Sequence, residues 1–328
     1  MMGMLLDVKN LSIYYYTLAG TVRAVENVTF GIEKKEWVTF VGESGSGKST
    51  VAHAILNLVP SPGKIVRGEV LFEGRDLLKL TKEEMKNIRG KEISMVFQDP
   101  MTSLDPLRKV GDQIVEAMSE HGVDEKEAWK KAKELLKRVN LPEDRLGYYP
   151  HQLSGGQRQR ISIAIAMAFE PKLLIADEPT TALDVIVQDS IMDLIDKLKE
   201  EEGTSIMFVT HDISLAVERS DKIAVMYAGK LMEFGSVDQI TENPLHPYTK
   251  ALLSSVPDLW SEKNIKAIPG YPPDLRTPPT GCRFHPRCPL FRDRASLKGV
   301  CDAVEPAFIE YEKGHYVACH TYGGAPNE

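Results

Sequence analysis

Along residues 5–41 the apolar positions fall as strands. Leu6, Val8, Leu11 and Ile13 lead into three tyrosines, Tyr14-Tyr15-Tyr16, and Gly20 marks a turn. Val22, Val25, Val28, Phe30 and Ile32 predict a second strand, and the solid apolar run Trp37 to Val41 predicts a buried one. The spacing then predicts a helix over 51–59, a β-hairpin over Gly63 to Glu73, a helix over Leu80 to Ile88 with Thr81 as its N-cap, and a short strand over Ile93 to Phe97. From Val110 to Val139 the period is helical, with Ala128, Trp129, Ala132, Leu135, Leu136 and Val139 at one-face spacing inside 125–140. Further on, Gln157 to Phe169 predicts a helix, Leu173 to Ala176 a buried strand, and Val185 to Leu198 a helix that stops before Gly203. Ser205 to Val209 is a strand, and Ile223–Tyr227 with Lys230–Phe234 forms a terminal hairpin around Ala228-Gly229. The expectation is an α/β core with a helical insertion between two of its strands.

One loop in that pattern carries chemistry by itself. Gly42-Glu43-Ser44-Gly45-Ser46-Gly47-Lys48-Ser49-Thr50 lies between the buried strand and the first helix, the context a P-loop requires. Its glycines let backbone N–H groups turn inward around a phosphate chain, Lys48 supplies a point charge for the β- and γ-phosphates, and the Ser49 hydroxyl is placed to ligand Mg²⁺. The helix that follows offers its positive end to the same anion. The bland alternative, a glycine-rich turn with no ligand, leaves both the spacing and the flanking elements unexplained. Tyr15, upstream, is the tyrosine favoured to stack on adenine, with ordinary packing as its alternative.

Two more places gain meaning once a nucleotide is expected. The strand at 173–176 runs into Asp177 and Glu178, and carboxylates at the C-terminal end of a central strand are where α/β folds place chemistry. Asp177 is in position to hold Mg²⁺ through water and Glu178 to polarise an attacking water. Ser154-Gly155-Gly156-Gln157 opens a helix with a good N-cap and two glycines, an anion site that is weak as a signal alone. His211 ends the strand expected beside the Asp177 strand, within plausible reach of a γ-phosphate.

Bulk properties narrow the class. The 328 residues suggest about two domains. Apolar content of 42% and charged content of 27% are those of a soluble globular protein. A net charge of −7 argues against a nucleic-acid footprint spread over the whole surface. No apolar run approaches the roughly 20 residues that span a bilayer, and the start lacks the pattern of a secretory signal. A cytosolic chain is therefore expected, though one able to dock on a membrane protein.

The four cysteines, Cys282, Cys288, Cys301 and Cys319, all follow a proline-rich stretch in the last fifth of the chain. Disulfides are disfavoured in a cytosolic protein. Zinc is chemically possible, with His285, His315 and His320 as extra ligands, but the C-x5-C-x12-C-x17-C spacing contains no close cysteine pair of the kind structural zinc sites use. Four thiolates without such a pair also suit a [4Fe–4S] cluster, and unligated thiols are the third reading. A tail of this size is too small to hold a core unaided, so a metal would staple it; redox gating is the sharper alternative.

Taken in order, Gly42–Thr50, Gln98, Leu153–Gln157, Leu173–Glu178, Thr181–Asp184 and His211 resemble the Walker A, Q-loop, signature, Walker B, D-loop and H-loop motifs of ABC ATPases. The resemblance covers about residues 5–240. Residues 98–106 and Asn243-Pro244-Leu245-His246-Pro247-Tyr248-Thr249 narrow it to the ATP-binding subunits of dipeptide and oligopeptide importers, and among those to the D-type subunit. It implies an α/β P-loop NTPase fold of the ABC nucleotide-binding type: a mostly parallel core sheet, an antiparallel β subdomain and a helical insertion, plus a small Cys-rich C-terminal extension. The implied boundaries are 1–255 for the ATPase domain, about 100–168 for its helical subdomain and 256–328 for the extension.

The resemblance also implies roles. Gly42, Ser44, Gly45, Gly47, Lys48, Ser49, Thr50, Tyr15, Gln98 and Asp177 would bind ATP and Mg²⁺, while Glu178, His211 and Gln98 would serve hydrolysis. Ser154, Gly155, Gly156 and Gln157 would meet an ATP held by a second ATPase subunit, with Asp184 at the same interface. Such a pair, here with a different F-type chain, would sit on the cytoplasmic face of the membrane beneath two permease subunits fed by an extracytoplasmic peptide-binding protein. The family usually has methionine where this chain has Gln157; glutamine is common in ABC proteins generally. The four cysteines resemble those of the importers' C-terminal extension, in which a [4Fe–4S] cluster is found. Rival functions are the same motor importing nickel or sugars, and a non-transport ABC ATPase acting on nucleic acid or ribosomes.

Overall fold

The computed structural model describes residues 3–99, 103–181, 183–255 and 268–323. Pro100 to Thr102, within the stretch that narrowed the resemblance, and Ala182, within the Thr181–Asp184 motif, lie outside the described residues, as does the expected boundary at 256. The first half of the chain contains β1 (Met4–Thr17), β2 (Gly20–Glu33), β3 (Trp37–Val41), α1 (Lys48–Ile55), β4 (Gly63–Phe72), β5 (Arg75–Asp76), α2 (Lys82–Ile88) and β6 (Ile93–Val96). Next come α3 (Val110–Ser119), α4 (Glu125–Arg138), α5 (Gly155–Ala166), β7 (Leu173–Asp177), α6 (Val185–Glu202), β8 (Ser205–Val209) and α7 (Ile213–Arg219). The chain continues through β9 (Lys222–Tyr227), β10 (Lys230–Ser236), α8 (Val237–Glu242), α9 (Pro247–Ser254), α10 (Pro289–Asp293), β11 (Ile309–Glu312) and β12 (His315–Val317).

Two compact units divide these elements. Among the described residues, one comprises residue 3, residues 33–36 and those within 79–208, the other residues 4–32, 37–78 and those within 209–323. In the first, β6 pairs parallel with β7, and β7 with β8 as its other neighbour is buried at all five positions. The expected helical insertion is present as α3 and α4. The α4 face formed by Ala128, Ala132, Leu135 and Leu136 is buried, with Asp124 capping its first turn.

In the second unit, β2-β1-β4-β5 form one sheet and β11-β12-β10-β9-β3 run in order in another. β3 pairs parallel with β9 and is buried throughout, as its unbroken apolar run requires. The rings of Phe30 on β2 and Phe40 on β3 meet edge to face at 4.7 Å. The hairpin expected at 63–73 is instead one strand, β4, paired antiparallel with β1 from Leu6↔Phe72 to Tyr15↔Gly63. The alternation that marks a strand was present; its partner was distant in sequence.

The β9–β10 hairpin is not terminal, contrary to expectation. β12 pairs antiparallel with β10 at Glu233↔Val317 and Phe234↔Tyr316, and β11 adds outside β12. An edge strand as buried as β10 has backbone groups to satisfy, and the C-terminal extension satisfies them. The extension also shares a core. Phe284 lies 5.2 Å from the Tyr227 ring and 5.3 Å from that of Tyr248, all three fully buried. Tertiary packing thus provides for this short segment what its own apolar content could not.

A buried acid locks the junction. Glu233 on β10 accepts hydrogen bonds from the backbone N–H groups of Leu245 (2.7 Å) and His246 (2.8 Å) and from His315 Nε2 of β12 (2.8 Å). Burial opposes charge on His315, but the hydrogen bonds to Glu233 and Glu312 outweigh it and raise its pKa above the ordinary histidine value. A raised folded-state pKa stabilises below the unfolded value of about 6.5, and that stability is lost as pH rises through the folded value. The melting temperature should therefore fall as pH rises above about 6.5, and His315→Gln should flatten that fall. Thermal unfolding of both proteins between pH 6 and 9 measures it; parallel curves would remove His315 from the account.

Candidate functional site

The loop between β3 and α1 is shaped by close backbone approaches. Gly42, Gly45 and Gly47 have φ of 152°, 76° and 102°, conformations that L side chains seldom adopt. A Cβ on Gly42 would stand 2.0 Å from the Met226 carbonyl oxygen, and one on Gly47 2.5 Å from that of Ala24. Lys48 is buried, and its Nζ donates to the carbonyls of Gly42 (2.8 Å) and Glu43 (3.2 Å). These carbonyl dipoles help hold the ammonium inside the loop. Ser44 and Gly45 are exposed at the loop's crest, and Ser49 and Thr50 are half-buried in the first turn of α1.

Glu43 was not among the residues expected to matter. Its carboxylate takes two hydrogen bonds from Arg287, Nη1 to Oε2 at 2.7 Å and Nη2 to Oε1 at 2.9 Å. Its N–H donates to the Tyr248 hydroxyl at 3.0 Å. No local signal could have found these contacts, because the partners lie more than 200 positions away. Tyr15 is half-buried on β1, its ring over Gly63, where a Cβ would lie 2.7 Å from Cε1. His211 is exposed just beyond β8.

In the other unit, Gln98 and Glu178 come together. Gln98 Nε2 donates to Glu178 Oε2 at 3.0 Å, and the Thr181 hydroxyl donates to the same oxygen at 3.1 Å. Glu178 has φ of 43°, a costly conformation for a residue with a side chain, and such strain gathers at working sites. Asp177, one residue earlier, ends β7 and is buried. The Thr181 contact is an addition to the expected set.

Ser154 caps α5 as expected, its Oγ accepting from Gln157 N–H at 3.3 Å, while Gln157 Oε1 accepts from Ser154 N–H at 3.1 Å. The glutamine thereby completes a capping box, a local role open to it and not to a methionine. Gly156 serves packing as well as access, since a Cβ there would meet Val187 at 2.5 Å. Asp184 caps α6 through Val187 N–H at 3.0 Å.

Cys282, Cys288, Cys301 and Cys319 line one small cavity together with Leu290, Phe291 and Leu297. Burial, reinforced by the neighbouring sulfurs, pushes the Cys282 thiol up to about 12 and Cys301 up to about 11, and Cys288 is raised too. Among the described residues no three or more His, Cys, Asp or Glu side chains are grouped to hold a metal ion. Of the histidines considered as zinc ligands, His285 and His320 line the same cavity, with His285 Nδ1 bonded to the Cys282 carbonyl and His320 Nε2 to the Val304 carbonyl, whereas His315 is bonded to Glu233.

Comparison with known proteins adds to this geometry. Residues 25–181 match the ABC transporter family, and residues 232–294 match the oligopeptide/dipeptide transporter C-terminal region. The chain is 50% identical over 319 residues to the oligopeptide transport ATP-binding protein OppD of Bacillus subtilis, covering 95% of this chain and 87% of that protein. It is 49% identical to the dipeptide transport ATP-binding protein DppD of Lactococcus lactis, covering 95% and 89%, and 42% identical to DppD of Escherichia coli, covering 96% of each. Among solved structures, a dimeric ATP-binding cassette in a post-hydrolysis state with ADP and phosphate superposes with a TM-score of 0.62 at 34% identity, covering 71% of this chain and 98% of that one.

Gly47→Ala should deform the loop, because the added methyl would have to displace the Ala24 carbonyl and hold a left-handed backbone. ATP affinity measured by calorimetry is expected to fall at least about tenfold, with the far-ultraviolet circular dichroism retained. Undiminished affinity would show that the loop tolerates a side chain where the geometry forbids one.

Proposed function

The chain belongs to the family of ATP-binding subunits of oligopeptide and dipeptide ABC transporters, and on that premise we propose that it powers the import of di- or oligopeptides across the cytoplasmic membrane. It is an ABC ATPase. The observation that carries the peptide reading is the match at 232–294, since that C-terminal region distinguishes these subunits from ABC motors at large. Import of nickel or sugars by the same type of motor is the second reading, because other subunits select the cargo. A non-transport role on nucleic acid has no feature in its favour.

In this reading Lys48, Ser49 and Thr50 bind the triphosphate with Gly42, Ser44, Gly45 and Gly47, and Tyr15 stacks on adenine. The oxygen donors Ser49, Gln98 and Asp177 suit Mg²⁺, which when bound offsets charge on the β- and γ-phosphates. Glu178 orients a water for in-line attack on the γ-phosphorus; the bond to the ADP oxygen breaks and phosphate leaves. The Gln98–Glu178 hydrogen bond and the strained backbone of Glu178 support this assignment. His211 holds the γ-phosphate.

Ser154, Gly155, Gly156 and Gln157 complete the site of a second ATPase subunit, with Asp184 at that interface, and the partner returns the same contacts. The partner is a different, F-type chain. The pair docks on the cytoplasmic face beneath two permease subunits, served by an extracytoplasmic peptide-binding protein. No helix among the described residues is long and apolar enough to cross a membrane.

The four cysteines line one cavity, and four thiolates, one for each iron, suit a [4Fe–4S] cluster. Cys282, Cys288, Cys301 and Cys319 would hold it and release their protons on loading. Protein purified anaerobically should be brown, with broad visible absorption and four irons per chain by metal analysis. A colourless preparation without iron would remove the cluster.

Glu178→Gln should retain ATP binding and lose turnover by about a hundredfold or more, because the water loses its orienting base. Phosphate release by the assembled transporter, measured beside nucleotide binding, tests this. Turnover near that of the unaltered protein would refute the role of Glu178.

A further inference from the structure

We propose that Arg287 and Arg283, carried between Cys282 and Cys288 in the C-terminal extension, are positioning residues for the phosphate loop, so that the extension sets the affinity of the loop for nucleotide. The inference rests on the reading of residues 42–50 as the nucleotide site.

Arg287 is the more direct of the two. Its guanidinium forms a two-pronged pair with the Glu43 carboxylate at 2.7 and 2.9 Å and is itself fixed on every side. Nε donates to the Pro269 carbonyl (2.9 Å), Nη1 to the Tyr227 hydroxyl (3.2 Å) and Nη2 to the Ile268 carbonyl (3.3 Å), and the group lies over the Tyr227 ring at 5.6 Å. Such a fork has little freedom left, so it dictates where Glu43 sits. Glu43 in turn shapes the loop. Its carbonyl accepts from Ser46 N–H at 3.1 Å and from Lys48 Nζ at 3.2 Å. One residue thus joins the extension on its side-chain end to the phosphate-binding lysine on its backbone end.

Arg283 acts one step further back. Fully buried, it donates to the Ala228 carbonyl and to Glu26. Gly229, the next residue in that turn, donates its N–H to the Ser46 carbonyl at 2.9 Å. The two arginines therefore hold the loop at Glu43 and at Ser46, on either side of its exposed crest. Each is the immediate neighbour of a cysteine, Cys282 or Cys288, so the placement of the cysteine segment is the placement of the clamp.

A purely structural role would cost stability and leave nucleotide affinity alone; a positioning role makes the opposite distinction. The test measures ATP binding by calorimetry on the full chain, purified anaerobically, alongside its melting temperature. Arg287→Met should raise the ATP dissociation constant about tenfold, Arg287→Lys should restore part of it, and Glu43→Gln should match Arg287→Met. The double variant should be no worse than the weaker single one, because both remove the same contact. If Arg287→Met does not fold, Glu43→Gln alone decides, since it leaves the extension's own residues intact. Affinity within twofold of the unaltered chain in Glu43→Gln and in any folded Arg287→Met, or losses that simply add, would overturn the proposal. Lys48→Ala is the control. Undiminished binding in that variant would fail the nucleotide-site reading itself, whereas lost binding there with normal binding in the Arg287 and Glu43 variants would fail only this inference.

Discussion

An ammonium group cannot be buried without oxygen partners, and the burial of Lys48 organises the loop around it. Taking the charge out of water costs several kcal/mol unless hydrogen bonds replace the lost hydration. Among the replacements are the carbonyls of Gly42 and Glu43, which must point inward toward the ammonium. The left-handed glycines follow from this. So does the tight seat against Met226 and Ala24, which leaves no space for a side chain at 42 or 47.

The same constraint explains why the rest of its unit is built as it is. A loop that turns its own carbonyls onto a buried cation needs its backbone held from outside. Tyr248 holds the Glu43 N–H, Gly229 holds the Ser46 carbonyl, and Arg287 holds the Glu43 side chain. These anchors come from the segments matched by the peptide-transporter C-terminal region, 232–294, or from the turn just ahead of it. The extension is thus continuous with the nucleotide-binding unit through a strand, a shared aromatic core and an ion pair, rather than an appendage to it.

In the other unit Glu178 gathers side-chain partners, and the helix opening at Ser154 caps itself. Glu178 takes both Gln98 and Thr181, and Ser154 and Gln157 satisfy one another. Gly156 shows a residue doing two things at once. Its lack of a side chain exposes the start of α5, and it also lets α6 approach. Free N–H groups at a helix opening of this kind favour an anion.

Much of this was determined by the sequence alone. Strand and helix periods placed β1 to β3, the helical insertion and the Asp177 strand, because hydrophobic spacing reports local geometry directly. The glycine, lysine and acid motifs were legible because their chemistry is set within a few residues. Only the tertiary structure decided which distant segments meet. It turned the expected hairpin at 63–73 into a partner for β1, extended the β9–β10 hairpin with β12, and brought Arg287 to Glu43 across 244 positions. The reason is physical: a strand edge or a carboxylate declares that it needs a partner, but every strand and every arginine in the chain could answer, and only packing selects one.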